Sequence, residues 1–359
     1  MAIIYMQGVS SQRELILGAK EIAFELLSSN SPIVIASHSD FRYEILQEAD
    51  ISYIEPKHDQ AKINFLMDIL SKHDIRVVHA GAVGHGLIHY QADLKSLGVR
   101  LIAGACSEQD FEIADNKSAF TNLMCEHQLD VVPAILIENQ SRLEEALSSS
   151  PFSTFGANLC IKPVRGIYGL GFWRFKPDAP MNQHILNPNI NVINPQAYIQ
   201  AMKLSNNFKP QLIMPYFKGA ETSVDMIVDE GQVIFAIARI KESKYQKISL
   251  NCDAIELAKK CAQLLKADGL INIQTINDES GKPWLLEANL RPSGGVCFSK
   301  ASGINIAKVF FDYFYMGLTK EAILTKYTPL FKEVLIKVDS CAIPLLDNNS
   351  TNTIYHETL

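Results

Sequence analysis

The sequence predicts an α/β protein: a parallel sheet covered by helices, followed by a part of α+β character. Two observations carry this. From Met1 to about Gly104, short β-branched runs alternate with amphipathic helical stretches, as they do when a parallel sheet is buried under helices. Later in the chain, strands instead flank a glycine cluster and a Ser-Gly turn, so they fold back on one another as hairpins.

The elements follow in order. Ile3-Ile4-Tyr5 is a strand, 13–28 a helix, Ile33-Val34-Ile35-Ala36 a strand, 61–73 a helix and Val77-Val78-His79-Ala80 a strand. A helix over 91–97 leads to the strand Leu101-Ile102-Ala103-Gly104. A helix from Lys117 to about Gln128 ends at the Val131-Val132-Pro133 step, because proline pushes its predecessor out of the helical region. A further helix spans 140–148, and strands at 159–162 and 172–175 flank the glycines. The segment 182–195, rich in asparagine and holding Pro188 and Pro195, reads as a long loop or linker. Strands follow at Leu212-Ile213-Met214, 222–228 and 233–240, then a helix at 254–267 and a hairpin built from 271–276 and 284–291. Residues 331–344 read as a closing strand, and 345–359 as a polar tail that frays. The divisions predicted are 1–106, 107–200, 201–345 and a tail at 346–359, with no internal repeat.

Bulk properties narrow the function. A chain of 359 residues, 47% hydrophobic and 20% charged, is ordinary for a globular protein with two or three cores. The net charge of −6 with scattered Lys and Arg argues against a nucleic-acid partner. Met1 to Gly8 lacks the basic flank and apolar run of a signal peptide, and no apolar stretch reaches the roughly 18–20 residues that span a bilayer. A cytoplasmic protein without a membrane partner is expected. Cys106, Cys125, Cys160, Cys252, Cys261, Cys297 and Cys341 form no CxxC pair, so neither a disulfide framework nor a zinc site is indicated.

The hairpin carries the chemistry. In a strand, alternate residues share a face, so Glu287, Asn289 and Arg291 point the same way. If the turn Asp278-Glu279-Ser280-Gly281-Lys282 is symmetric about Ser280-Gly281, Gln274 falls opposite Glu287. Gln274, Glu287 and Asn289 then converge as oxygen donors, a set that suits Mg2+ or Mn2+ keeping waters and phosphate oxygens. Lys162 ends the apolar run Leu159-Cys160-Ile161, where a lysine is seldom left without an anion. Gly166, Gly169 and Gly171 let backbone amides approach a phosphate. They lead into Phe172-Trp173-Arg174-Phe175, which alternates like a strand; a dinucleotide fingerprint requires a helix there. A glycine hairpin acting as a lid fits better, with a plain surface hairpin as the alternative. Arg291 has a fork suited to planar anions, against the alternative of a salt bridge to Glu287. Arg239 is a second candidate anion clamp or an exposed strand-end arginine. His79 and His85 flank Ala80-Gly81-Ala82-Val83-Gly84 at a strand end and are candidates for an acceptor pocket or ordinary loop histidines.

Taken together, these motifs resemble the ATP-grasp superfamily, and the Gln…Glu-x-Asn-x-Arg pattern is closest to its carbamoyl-phosphate synthetase large-subunit branch, here as a single unit. The resemblance implies a pre-ATP-grasp α/β domain followed by a two-lobed ATP-grasp domain. Asp115-Asn116-Lys117-Ser118 is similar to the segment of the first ATP lysine, and Cys160-Ile161-Lys162-Pro163 to that of the second. Arg165 to Gly171 resembles the phosphate flap, Met214-Pro215-Tyr216 the adenine hinge, and Glu221 the ribose carboxylate. Pro215 stands where relatives carry an acidic residue and has no amide to donate. The implied activity is ligation of a small carboxylate to an amine or thiol through an acyl phosphate, with ATP and Mg2+, and a homodimer is the candidate assembly. A non-catalytic ATP-binding regulator is the alternative, and a dehydrogenase would rest on the glycines alone.

Overall fold

A computed structural model describes residues 1–8, 11–26, 31–149, 151–156, 158–166, 169–205, 207–339, 342 and 354–355. The chain divides into two units, one formed by 1–111, 221–274 and 288–359 and the other by 112–220 and 275–287.

In the first unit a six-stranded sheet runs, in spatial order, Ile354–Tyr355, Ile51–Ile54, Ile33–His38, Ala2–Tyr5, Ile75–His79, Arg100–Ile102. Every pairing in it is parallel, as the alternating pattern predicts. Helix Ser11–Glu25 buries Leu15, Ile16, Ala19 and Ile22, one stripe at helical spacing. Gly18 lies on that helix where a Cβ would come within 2.6 Å of the Ala307 Cβ, so glycine admits the helix Ile306–Phe314 at close range. That second helix spans nine residues and carries its two charged residues, Lys308 and Asp312, four apart on one stripe. The short strand Ile51–Ile54 escapes the pattern, because a single polar interruption leaves little to count. Within the expected polar tail, Ile354–Tyr355 pairs with Ile51–Ile54 and extends the sheet; two β-branched or aromatic residues in a polar stretch are too short a signal to read as a strand.

A seven-stranded sheet has the order Pro283–Asn289, Ala267–Asn277, Glu221–Asp229, Gln232–Glu242, Tyr245–Ser249, Val334–Ile336, with Gly104–Ala105 also paired to Ala267–Asn277. The closing strand expected over 331–344 is thus the shorter Val334–Ile336, antiparallel to Tyr245–Ser249. Cys341 lies outside the described residues.

The second unit holds a five-stranded sheet in the order Val192–Ile193, Trp173–Phe175, Leu159–Pro163, Gln211–Pro215, Ile135–Ile137. Ile137, Leu143, Ile161, Phe175, Tyr198 and Ile213 form its core. Two expectations are corrected here. The segment 182–195 is not a linker: Val192–Ile193 pairs parallel with Trp173–Phe175, and Asn194 Oδ1 caps the helix Pro195–Lys203 by accepting from Gln196 N at 2.8 Å. Asparagine and proline mark helix starts and left-handed positions as often as linkers, and Asn191 at φ +50° and Pro195 in the first helical turn do that work here. The strand Gln211–Pro215 pairs with Leu159–Pro163 and Ile135–Ile137, so the chain stays in this unit to 220 and does not leave it near 200. A fully buried run carries no mark of which sheet will take it. Among the described residues no helix is long and apolar enough to cross a membrane.

Candidate active site

The predicted site residues fall in both units. Lys117, Lys162, Gly166, Gly169, Gly171, Tyr216 and Glu287 belong to the second, and Glu221, Arg239, Gln274, Asn289 and Arg291 to the first.

In the second unit, Asn116 starts the helix Lys117–Glu126, its Oδ1 accepting from Ser118 N at 3.0 Å and Ala119 N at 3.1 Å. That cap fixes Lys117 in the first turn, where its Nζ donates to Gly166 O at 2.9 Å and lies 3.6 Å from Glu287 Oε2. The first ATP-lysine candidate, the glycine hairpin and the metal-ligand candidate therefore meet. Lys162 is 8% exposed and, among the described residues, its Nζ donates to one acceptor, Leu286 O, at a long 3.4 Å. Burial pushes its ammonium down to about 8, Glu287 pulling it back up and Lys117 lowering it further. The result is a buried cation short of negative charge, which a phosphate would supply.

The glycines sit as predicted on a hairpin. Leu159–Pro163 and Trp173–Phe175 are antiparallel, with Cys160 opposite Arg174 and Ile161 opposite Trp173. A strand follows the glycines, so the dinucleotide reading is excluded by geometry. Gly169 (φ +67°) and Gly171 (φ +77°) occupy left-handed backbone, and a Cβ on Gly171 would meet Pro163 Cγ at 2.8 Å. Ile167 and Tyr168 lie outside the described residues. Hydrogen exchange at Gly166, Gly169 and Gly171 is expected to slow when a nonhydrolysable ATP analogue binds with Mg2+; equal protection in both states would count against a phosphate-covering role.

At the hinge candidate, Tyr216 N donates to Asn158 O at 2.8 Å, so that amide is taken up within the unit. The Tyr216 ring lies 4.9 Å under the Arg174 guanidinium, and Arg174 Nη1 donates to its hydroxyl at 3.3 Å. Any adenine contact from Tyr216 must come through its ring, hydroxyl or carbonyl. The turn between Ala267–Asn277 and Pro283–Asn289 departs from its expected symmetry: Asp278 N donates to Lys282 O at 2.9 Å, which centres the turn on Ser280. Asp278 organises it, Oδ1 accepting from Ser280 N, Ser280 Oγ and Lys282 N, and Oδ2 from Trp284 Nε1 at 2.9 Å. These bonds hold its carboxyl down at about 2. Symmetry counting missed this, because a side chain replaces one rung of the ladder.

The strand ends at Asn289, short of Arg291, and exposure alternates from Glu287 on past that end: Glu287, Asn289, Arg291 and Ser293 are half-buried, and Ala288, Leu290 and Pro292 are buried. Along Ala267–Asn277 the first seven residues are buried and Gln274 is the first that is not. Among the described residues no three His, Cys, Asp or Glu side chains gather as a metal cluster. Glu287 offers a carboxylate and Gln274 and Asn289 offer amide oxygens, donor types that suit a hard ion sharing its shell with water and phosphate.

In the first unit, Glu221 opens the strand Glu221–Asp229 and pairs across it with Lys241. Arg239 is not at an exposed strand end; it is 4% exposed. Its Nε donates to Asp225 Oδ2 at 2.8 Å, its Nη2 to Ser293 Oγ at 2.8 Å and its Nη1 to Gln246 Oε1 at 3.4 Å. Asp225 Oδ1 also accepts from Ser293 Oγ at 2.8 Å and from Asn272 Nδ2 at 2.9 Å. Sequence reasoning missed this network, although Ser293 is the next residue in the alternation that singles out Glu287, Asn289 and Arg291. His79 is buried to 4% exposure, which pushes its imidazole down to about 4, and among the described residues its Nδ1 has no partner. His85 lies in the short helix Gly84–Leu87 and stacks on Phe111 at 5.4 Å.

Comparison with known proteins accords with this architecture. An N5-carboxyaminoimidazole ribonucleotide synthetase in its ADP complex is similar over 93% of this chain and 80% of its own, with TM-score 0.65 and 18% identity. An L-amino acid ligase from Bacillus licheniformis is similar over 90% of this chain and 74% of its own, with TM-score 0.60 and 12% identity. For a biotin carboxylase from Campylobacter jejuni in a β-γ-ATP complex the shares are 89% and 72%, with TM-score 0.60 and 15% identity. The chain has the ATP-grasp fold. Within it, residues 207–331 match the family model described as ATP-grasp in the biosynthetic pathway with Ter operon. No curated protein matches the sequence.

Proposed function

We propose that the protein is an ATP-dependent ligase that joins a small carboxylate to an amine, or to a thiol, through an acyl phosphate. The observation that carries this is the Lys117, Lys162 and Glu287 cluster beside the glycine hairpin, where a buried ammonium lacks a full counter-charge. Similar structures described as complexes with ADP and with an ATP ligand support the nucleotide. The single-carboxylate set Gln274, Glu287 and Asn289 keeps the reading nearest the carbamoyl-phosphate synthetase large-subunit branch, and these residues would hold Mg2+, which supplies charge neutralisation at the phosphates.

In this reading Lys117 and Lys162 offset the charge of the triphosphate, and Gly166, Gly169 and Gly171 offer backbone amides to it. Glu221 takes the ribose hydroxyls. A carboxylate oxygen of the substrate attacks the γ-phosphorus as the bond to the ADP oxygen breaks. The amine then attacks the acyl carbon, phosphate leaves, and the amine loses a proton. Arg291 holds the reacting carboxylate or the transferred group by its fork. Little covalent chemistry falls to the protein; positioning and charge cancellation dominate.

The test is ADP release against pools of carboxylates and amines. Release that depends on one member of each pool supports the ligase, whereas tight ATP binding with no release against any pool would favour an ATP-sensing regulator. The Lys162 assignment has its own pH signature. Because its ammonium sits at about 8 in the free protein, affinity for Mg·ATP should hold below that pH and fall about tenfold per pH unit above it. Calorimetry between pH 7 and 10 reads this, and a flat profile that Lys162→Met leaves unchanged would remove Lys162 from the phosphate site.

A further inference from the structure

We infer that Asp225, Arg239 and Ser293 form a positioning network for Arg291, and that Arg239 is not itself an anion clamp. The inference rests on the ligase reading for the role of Arg291, but its geometry stands within one unit. Arg239 donates from all three of its nitrogens to protein acceptors: Asp225, Gln246 and Ser293. Asp225 is fully buried, and its two oxygens accept from Arg239, Ser293 and Asn272. The guanidinium is thus neutralised and shielded, with Phe298 5.7 Å from its centre on one face. It lacks the exposure that binding a substrate anion requires, and each of its three nitrogens is already engaged by a protein acceptor.

What the network holds is the chain just past Arg291. Ser293 Oγ closes a ring by donating to Asp225 and accepting from Arg239, both at 2.8 Å. Pro292 separates the two residues and fixes one torsion, so few soft angles lie between the pinned hydroxyl and the Arg291 backbone. Upstream, Asn289 is the last residue of the strand Pro283–Asn289. Arg291 is therefore anchored on both sides. Gly295 completes the fit, since a Cβ there would stand 2.6 Å from Arg239 Nη1.

The test uses the full chain with arginine-selective 15N labelling, the Arg291 amide being identified by its loss in Arg291→Lys. Ser293→Ala removes the hydroxyl and leaves the Arg239–Asp225 pair intact. The order parameter of the Arg291 amide should fall from the rigid-backbone value of about 0.85 toward 0.6 or below, with Tm changed by no more than a few degrees. Ser293→Thr, which keeps the hydroxyl, should restore it. Gly295→Ala, which crowds Nη1 without deleting a hydrogen-bonding group, should mobilise Arg291 as Ser293→Ala does. An Arg291 amide that stays rigid in both Ser293→Ala and Gly295→Ala, or that Ser293→Thr fails to restore, overturns the inference. The readout needs no turnover, so a failed ADP-release screen counts against the ligase reading alone.

Discussion

Replacing Glu287 with alanine is expected to weaken Mg·ATP binding on the order of 10²-fold, about 3 kcal/mol, while leaving metal-free ATP binding unchanged or slightly tighter. The asymmetry follows from the charges. Without a divalent ion the Glu287 carboxylate repels a triphosphate and draws on Lys117, 3.6 Å away, so its removal frees positive charge for the nucleotide. With the ion present it is the one carboxylate of the ligand set, beside the neutral amides of Gln274 and Asn289, and nothing replaces its charge. The variant should also lower the Lys162 ammonium further below about 8, because Glu287 is the neighbour that raises it most. Calorimetry with and without Mg2+ separates the two effects. Equal losses in both conditions would make Glu287 a structural partner of Lys117, and undiminished Mg·ATP affinity would sink the metal assignment.

Arg291→Lys is expected to reduce turnover on the order of 10²-fold or more while leaving ATP affinity within a few fold. Lysine keeps the charge but loses the two-pronged geometry that holds a planar carboxylate or phosphoryl group, and that geometry matters most in the transition state. Steady-state kinetics with the substrate pair from the ADP-release screen, alongside calorimetry, make the comparison. Parallel losses in binding and turnover would make Arg291 a ground-state nucleotide ligand. The role assigned to it, and with it the purpose of the network around Ser293, would then have to be redrawn.

Much of the fold was legible because its strands and helices announce themselves locally. The parallel sheet follows from buried β-branched runs spaced by amphipathic helices, and Ala2–Tyr5, Ile33–His38 and Ile75–His79 appear where those runs fall. The glycine hairpin was legible for the same reason, since the strand after Gly171 alternates at period 2. The segment 182–195 was not, because asparagine and proline serve caps and linkers alike until a partner strand is known.

The candidate site divides along the same line. The sequence by itself determined which residue types stand at alternating positions: Glu287 and Asn289 share a face because backbone pleating has a period of two within a strand, and Arg291 keeps the same spacing just past the strand end. It likewise marked Lys162 as a lysine closing an apolar run, and burial did the rest. Only the tertiary structure decided that Lys117 reaches Gly166 and Glu287, residues 49 and 170 positions away, and that Arg239 spends its donors on Asp225, Gln246 and Ser293. Pairing between strands distant in sequence depends on which buried faces meet, and a charged side chain's role depends on the counter-charge it meets there; neither leaves a local period to read.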